Sequence, residues 1–243
     1  MSRLIAAPLA LACALGLVSC ASLKAMVPGG DDMAADPAAI NAAASHEAEL
    51  STAAERGFAA NESGWVARFF WSPQYCDRNR GSREPQCVPV QGFVLRDLIR
   101  IRDGKPVEGC TTGPVLLSQP MLDQILQFTL NLPETRASWR IYGRCSGLSE
   151  VDYAAYTELV DRRIWWPEAY SPDRPDVETT AEDLLAAIAA VNHEMPVAAL
   201  NVHCRFSALE SVDIRFDDHF NYLPASSPAA TNCKSRVRVV GKR

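Results

Sequence analysis

The sequence predicts an α+β domain with a mostly antiparallel central sheet and flanking helices. The first observation is order: two strand-like stretches, then several segments with helical spacing, then three strand-like stretches. The second is composition. Of 243 residues, 48% are hydrophobic and 22% charged, which suits a globular chain and excludes a wholly disordered or polytopic membrane protein. The third is cysteine usage, because eight cysteines exceed what a reduced cytosolic chain of this size usually carries.

The N-terminus reads as export machinery. Arg3 precedes an apolar run from Leu4 to Val18, long enough for a signal-peptide core and short for a membrane span. The run ends Leu17-Val18-Ser19-Cys20, which resembles a bacterial lipobox with Cys20 as the lipidated residue. Cleavage after Ala21, at a small-residue site, is the alternative. Residues 1–19 are thus expected to be a signal peptide, and Ala21-Ser22 rather than Asp implies the outer membrane, with the protein facing the periplasm. Several acyl chains would hold such a chain firmly, where one would not. Residues 20–63 are Ala-rich; Asp36-Pro37 can start a helix and Gly57 can end it. Within that helix only Ile40 and Leu50 could bury much, so the segment reads as a tether before a domain at residues 64–243.

Within that domain, Gly64 to Ser72 is nearly continuous in apolar residues and reads as a central strand, with Trp65, Ala67, Phe69 and Trp71 on one face. Ser72 to Cys76 leaves the strand, and Asp77 to Gln86 reads as a loop. Gln91 to Ile101 is a second strand. Leu122, Ile125, Leu126 and Thr129 give a helix over Gln119 to Leu130, and another covers part of Thr135 to Cys145. Tyr153, Tyr156, Leu159 and Val160 mark a helix from Val151 to about Arg163. Thr180 caps one through Leu184, Leu185, Ile188 and Val191. Ala199 to Phe206 and Ser211 to Phe216 alternate as a hairpin joined by Ser207 to Glu210. Lys234 to Lys242 is a last strand, whose basic residues suit a solvated edge.

Six cysteines lie in the domain, and six allow fifteen connectivities that spacing cannot resolve. There is no CxxC pair, HExxH or zinc-finger spacing, and no GxSxG, so disulfides are expected and no metal or cofactor is. The net charge of −5 advertises no polyanion-binding surface, although a local basic cleft is compatible with it.

Trp71-Ser72-Pro73-Gln74-Tyr75-Cys76, ending a buried strand, resembles the first strand of the ribonuclease T2 family. The likeness extends over roughly residues 64 to 241 through the spaced cysteines, the Leu130-Asn131-Leu132-Pro133 turn and the C-terminal hairpin with a cysteine in its first strand. It implies the pairings Cys76–Cys87, Cys110–Cys145 and Cys204–Cys233, each contributing about 3–4 kcal/mol on the loop-entropy model. It also implies a metal-free reaction. One histidine takes the proton of a ribose 2′-OH as it attacks phosphorus, a second protonates the leaving oxygen, and a carboxylate and a lysine stabilise the phosphorane.

Family members carry these groups in segments close to HGLWP and HEWxKHGTC. Here Arg96 stands at the first histidine, Asp97 at the glycine, Ile99 at the tryptophan and Arg100 at the proline. In the second segment Trp139, Gly143 and Cys145 match. Ala137, Ser138, Ile141 and Tyr142 replace the histidine, glutamate, lysine and main catalytic histidine. Arg96 cannot serve as a base, and tyrosine with a pKa near 10 is a poor one at pH 7. His46, His193, His203 and His219 lie outside both motifs.

The expectation is therefore a catalytically silent T2-like lipoprotein whose former cleft binds RNA, a nucleotide or another small anion. Arg96, Arg100, Arg140 and Arg144 are the candidate anion contacts, with Arg140 and Arg144 one helical step apart. Trp139 and Tyr142 are the candidate aromatic contacts. A filled, functionless cleft accounts for the same residues. Two further readings are a weak ribonuclease using unconventional groups and a disulfide-braced scaffold for an envelope protein partner.

Overall fold

A strand whose large apolar residues recur at every second position must bury one face and leave the other to polar neighbours. Gly64–Trp71 (β1) does so: Trp65, Ala67, Phe69 and Trp71 are buried, while Val66, Arg68 and Phe70 are half-buried. The computed structural model describes residues 63–103, 105–111, 113–225 and 231–241. Apart from Ser63, the expected signal peptide and tether lie outside the described residues.

β1 is flanked by antiparallel partners on both sides, Phe93–Arg102 (β2) and Ala208–Phe216 (β6), so the strand expected to be central is central. Lys105–Pro106 (β3) adds to β2, Leu200–Arg205 (β5) pairs with β6, and Val177–Thr179 (β4) pairs with Val237–Val239 (β7). The sheet runs β3-β2-β1-β6-β7-β4 with β5 against β6, and only β6 and β7 are parallel. The architecture is α+β with a mostly antiparallel sheet.

Helices cover the face that carries Trp65, Phe69 and Trp71. Gln119–Thr129 (α2) buries Leu122, Ile125 and Thr129. Leu130 then turns left-handed at φ 53°, and the Asn131 side chain accepts from the Glu134 N–H to start Leu132–Ile141 (α3). Glu150–Arg163 (α4) is capped by Ser149 and buries Tyr153, Ala154, Thr157 and Val160. Ala181–Val191 (α5) is capped by Thr180 and buries Leu184 and Ile188. Trp71 is 1% exposed and donates to the Val240 carbonyl at 2.7 Å, which ties the central strand to the end of β7. Burying a side chain of that size stabilises by about 2–3 kcal/mol.

Four local expectations change. Ser72–Arg78 is a short helix (α1) rather than a loop entry, because Pro73 sits in its first turn, where its missing N–H costs nothing. The helix over Thr135 to Cys145 begins earlier and stops at Ile141, after which Gly143–Cys145 is a tight 3-10 turn. The hairpin turn is shorter than expected, since Arg205 already pairs with Ala208. β7 is not an edge strand: β4 lies beside it, and the charges of Arg236 and Arg238 meet Glu178 and Asp176 instead of solvent alone. The described residues hold three disulfides, Cys76–Cys87, Cys110–Cys145 and Cys204–Cys233.

Candidate anion-binding groove

The sheet face away from Trp65 and Phe69 carries a row of polar residues across four strands. Register places Asp97 of β2 opposite Arg68 of β1, Arg68 opposite Asp213 of β6, and Asp213 opposite Asn201 of β5. Arg68 grips Asp213 with both ends of its guanidinium, Nε to Oδ1 at 2.7 Å and Nη2 to Oδ2 at 2.8 Å. His203 Nε2 lies 2.9 Å from the same Oδ2. Burial works to raise the pKa of Asp213, but the bonds from Arg68 and His203 outweigh it and leave the carboxyl below its ordinary value. Asp97 goes the other way: burial raises its pKa, and the nearby charge of Arg96 only partly offsets that. Tyr142, beyond Asp97, is pushed up by its own burial and by the Asp97 charge.

Next to this row, two β-bulges turn extra residues outward. The β1–β2 register passes from Arg68↔Asp97 to Phe69↔Leu95, leaving Arg96 unpaired. The β5–β6 register passes from His203↔Ser211 to Cys204↔Leu209, leaving Glu210 unpaired. Bulges re-aim side chains in this way beside functional sites. Between them stands Phe70, and the Arg96 guanidinium lies 4.1 Å above its ring. Arg96 also meets Glu134 at 3.2 Å and Asp97 at 3.6 Å, while its buried Nε has no hydrogen-bond partner among the described residues.

These residues form one wall of an open groove of about 330 Å³, closed by Tyr75 and Arg78 of α1 and by Arg205 of β5. The α1 wall is held in place, because Glu84 accepts from the Tyr75 hydroxyl at 3.1 Å and from the Asn131 amide at 2.7 Å. Arg78 and Arg205 both approach the Glu210 carboxylate, at 3.5 and 3.8 Å, distances long for hydrogen bonds. Three guanidinium groups thus face two carboxylates, with forked donors left over and an aromatic floor. Such a groove suits an anion attached to a flat ring.

The structure brings only some of the expected residues to this place. Arg96 lines the groove, whereas Tyr142, at the end of α3 and near Asp97, is not among its lining residues. Arg100 does not line it either: its side chain is 11% exposed, paired with Asp218 and 5.0 Å from the Trp65 ring on the helix-covered face. Residues four apart in a regular strand share a face, and the bulge at Arg96 breaks that phase. Trp139 is 2% exposed, donates to the Pro114 carbonyl at 3.1 Å and packs edge-on to Tyr153, so its ring belongs to the core. Arg140 and Ile141 are exposed at the end of α3, and Arg144 follows in the 3-10 turn, so the helical step between the two arginines is interrupted. Ser138 faces Asp97 and helps keep it ionised, yet its buried Oγ makes no hydrogen bond of normal geometry among the described residues. Gly143 is required by close approach: a Cβ there would lie 2.4 Å from the Trp139 ring.

Sequence reasoning missed Arg68, Phe70, Arg78, Arg205, Glu210 and the Asp213–His203 pair. A signal existed for two of them. Arg68 and Asp213 each interrupt an apolar strand, and a charge in such a place needs a buried partner. His193 is 94% exposed and His219 is exposed in a turn, whereas His46 lies outside the described residues.

The fold is that of the T2 ribonucleases. No family model and no curated protein matches the sequence, but solved structures do. An RNase-related protein from Calystegia sepium is 19% identical, with a TM-score of 0.57 over 74% of this chain and 98% of that one. Ribonuclease MC1 from the seeds of bitter gourd is 13% identical, with a TM-score of 0.57 over 72% and 98% of the two chains. The self-incompatibility associated SF11-RNase of Nicotiana alata is 12% identical, with a TM-score of 0.52 over 74% and 100%. Mutants of ribonuclease MC1 have been solved in complex with 5′-GMP and with 5′-UMP.

Proposed function

We propose that this chain is a T2-fold envelope lipoprotein that binds RNA or a nucleotide in its groove without cutting it. One observation carries the reading: at the position the resemblance gives to a proton-transferring histidine, Arg96 sits over the Phe70 ring in a groove shared with Arg78 and Arg205. Arginine stays protonated and cannot take a proton from a 2′-OH. Tyr142, at the other histidine position, is held further from ionising at neutral pH than a free tyrosine. Each acid–base group is typically worth 10²–10⁴-fold in rate, so replacement of both histidines favours binding over cleavage. The nucleotide complexes of ribonuclease MC1 mutants support the ligand class. The lipobox-like Leu17 to Cys20 supports attachment through Cys20 to the inner face of an outer membrane.

The test is fluorescence anisotropy of a labelled single-stranded RNA with the purified protein, in the presence of a chelator, followed by end-group analysis of the RNA. Binding that weakens with salt and with Arg96→Ala, with intact RNA, supports the proposal. Absence of binding removes the ligand. Rapid appearance of 2′,3′-cyclic ends, retained in fresh preparations of lower nuclease background, removes the silence.

A second reading has one observation in its favour. His203 is oriented by Asp213 on the same sheet face as Arg96, an arrangement able to transfer protons. Slow cleavage that disappears in His203→Ala and persists in Tyr142→Phe would select it.

A further inference from the structure

We propose that Phe206 is a base-stacking platform that extends the groove, so that the ligand is a single-stranded oligonucleotide rather than a mononucleotide. This rests on the nucleotide-binding reading above and deepens it. Phe206 is 83% exposed at the tip of the β5–β6 hairpin, immediately after the groove residue Arg205. Its backbone is left-handed, at φ 62°. A two-residue hairpin turn with positive φ favours Asn, Asp or Gly, so neither turn chemistry nor core packing accounts for an aromatic here.

The tip is also unusually well braced. The Arg238 N–H donates to the Ser207 carbonyl at 2.8 Å, fixing the second turn residue against β7. The side chain of Asn232 bonds both backbone groups of Cys204, accepting from its N–H at 2.7 Å and donating to its carbonyl at 2.9 Å. Cys204 is further joined to Cys233. A braced backbone fixes where the ring is presented, and a phenylalanine has only two side-chain torsions left to order when a base stacks on it. Arg205 and Arg78 then face the phosphate that leads from the stacked base into the groove. Stacking of this kind tolerates any base, so the surface selects single strands over sequence.

Calorimetry with uridine monophosphate and with a tetranucleotide separates the outcomes. Phe206→Ala is expected to weaken the tetranucleotide about tenfold and leave the monophosphate unchanged, while Phe206→Trp retains both. Phe206→Asn suits the turn better than phenylalanine, so it should fold at least as well and show the same loss, which separates contact from folding. Tetranucleotide binding undiminished in Phe206→Ala and Phe206→Asn overturns the platform while leaving the groove. So does loss, in Phe206→Ala alone, of wild-type adhesion to phosphatidylglycerol vesicles with RNA binding intact, which assigns the ring to a membrane surface. Failure of the wild type to bind either nucleotide overturns the underlying reading instead.

Discussion

The Arg96 guanidinium sits 4.1 Å over the Phe70 ring, projecting from a position that the β1 ladder leaves unpaired. The guanidinium sits over the ring while its Nη2 reaches Glu134 in the groove. Lysine keeps the charge but not the planar fork. Arg96→Lys should therefore bind labelled single-stranded RNA roughly tenfold more weakly than wild type. Arg96→Ala should also lower the slope of log affinity against log salt by about 0.7, the share of one phosphate contact on a single strand. Anisotropy titrations at several salt concentrations give both numbers.

Asp213 holds Arg68 and His203 together, and its removal leaves a half-buried guanidinium without its carboxylate. Asp213→Asn should cost about 3 kcal/mol at neutral pH in urea denaturation. The native pKa lies below the unfolded one, so the native state binds fewer protons. The stabilisation is then fully present above the unfolded value of about 4 and is lost as pH falls below it. The gap between wild type and Asp213→Asn should narrow as pH drops from 5 towards 2.

Asp161 on α4 gives the opposite dependence. Burial pushes its pKa up to about 6, with Arg162 offsetting part of the effect. The native state therefore binds more protons than the unfolded one between about pH 4 and 6, and wild-type stability attributable to this group rises as pH falls through that window. Asp161→Asn should stabilise by on the order of 1–2 kcal/mol at pH 7.5, allowing for partial screening by solvent. At pH 4 the benefit should vanish. Thermal melts at the two pH values test the sign.

Gly143 lies where the Trp139 and Tyr153 rings leave no room for a methyl group, at 2.4 and 3.0 Å from the nearest ring atoms. Gly143→Ala should cost about 2–3 kcal/mol through displacement of those rings. A changed near-ultraviolet circular dichroism spectrum should accompany the lower melting temperature.

Much of the architecture was legible because it follows from burial. Trp65, Phe69 and Trp71 announce a central strand, Thr180 announces a helix start, and apolar spacing along α2 and α4 announces their inner faces. The groove was less legible because its walls depend on register. Nothing in the alternation of β2 or β6 says that Arg96 and Glu210 are extra residues, yet those two insertions decide which charges face the groove and send Arg100 to the other side. Short strands such as β4 hold too few residues to show a period, and without β4 the arginines of β7 read as a free edge.

The bulge at Arg96 has an evolutionary corollary. Shortening the chain by that one residue would leave Leu95, Asp97 and Leu98 opposite Phe69, Arg68 and Ala67 on an uninterrupted ladder. The sheet therefore carries this side chain as a passenger whose replacement asks little of the folding machinery. A scaffold with such a seat can trade one side chain for another in a single codon without disturbing the ladder on either side of it.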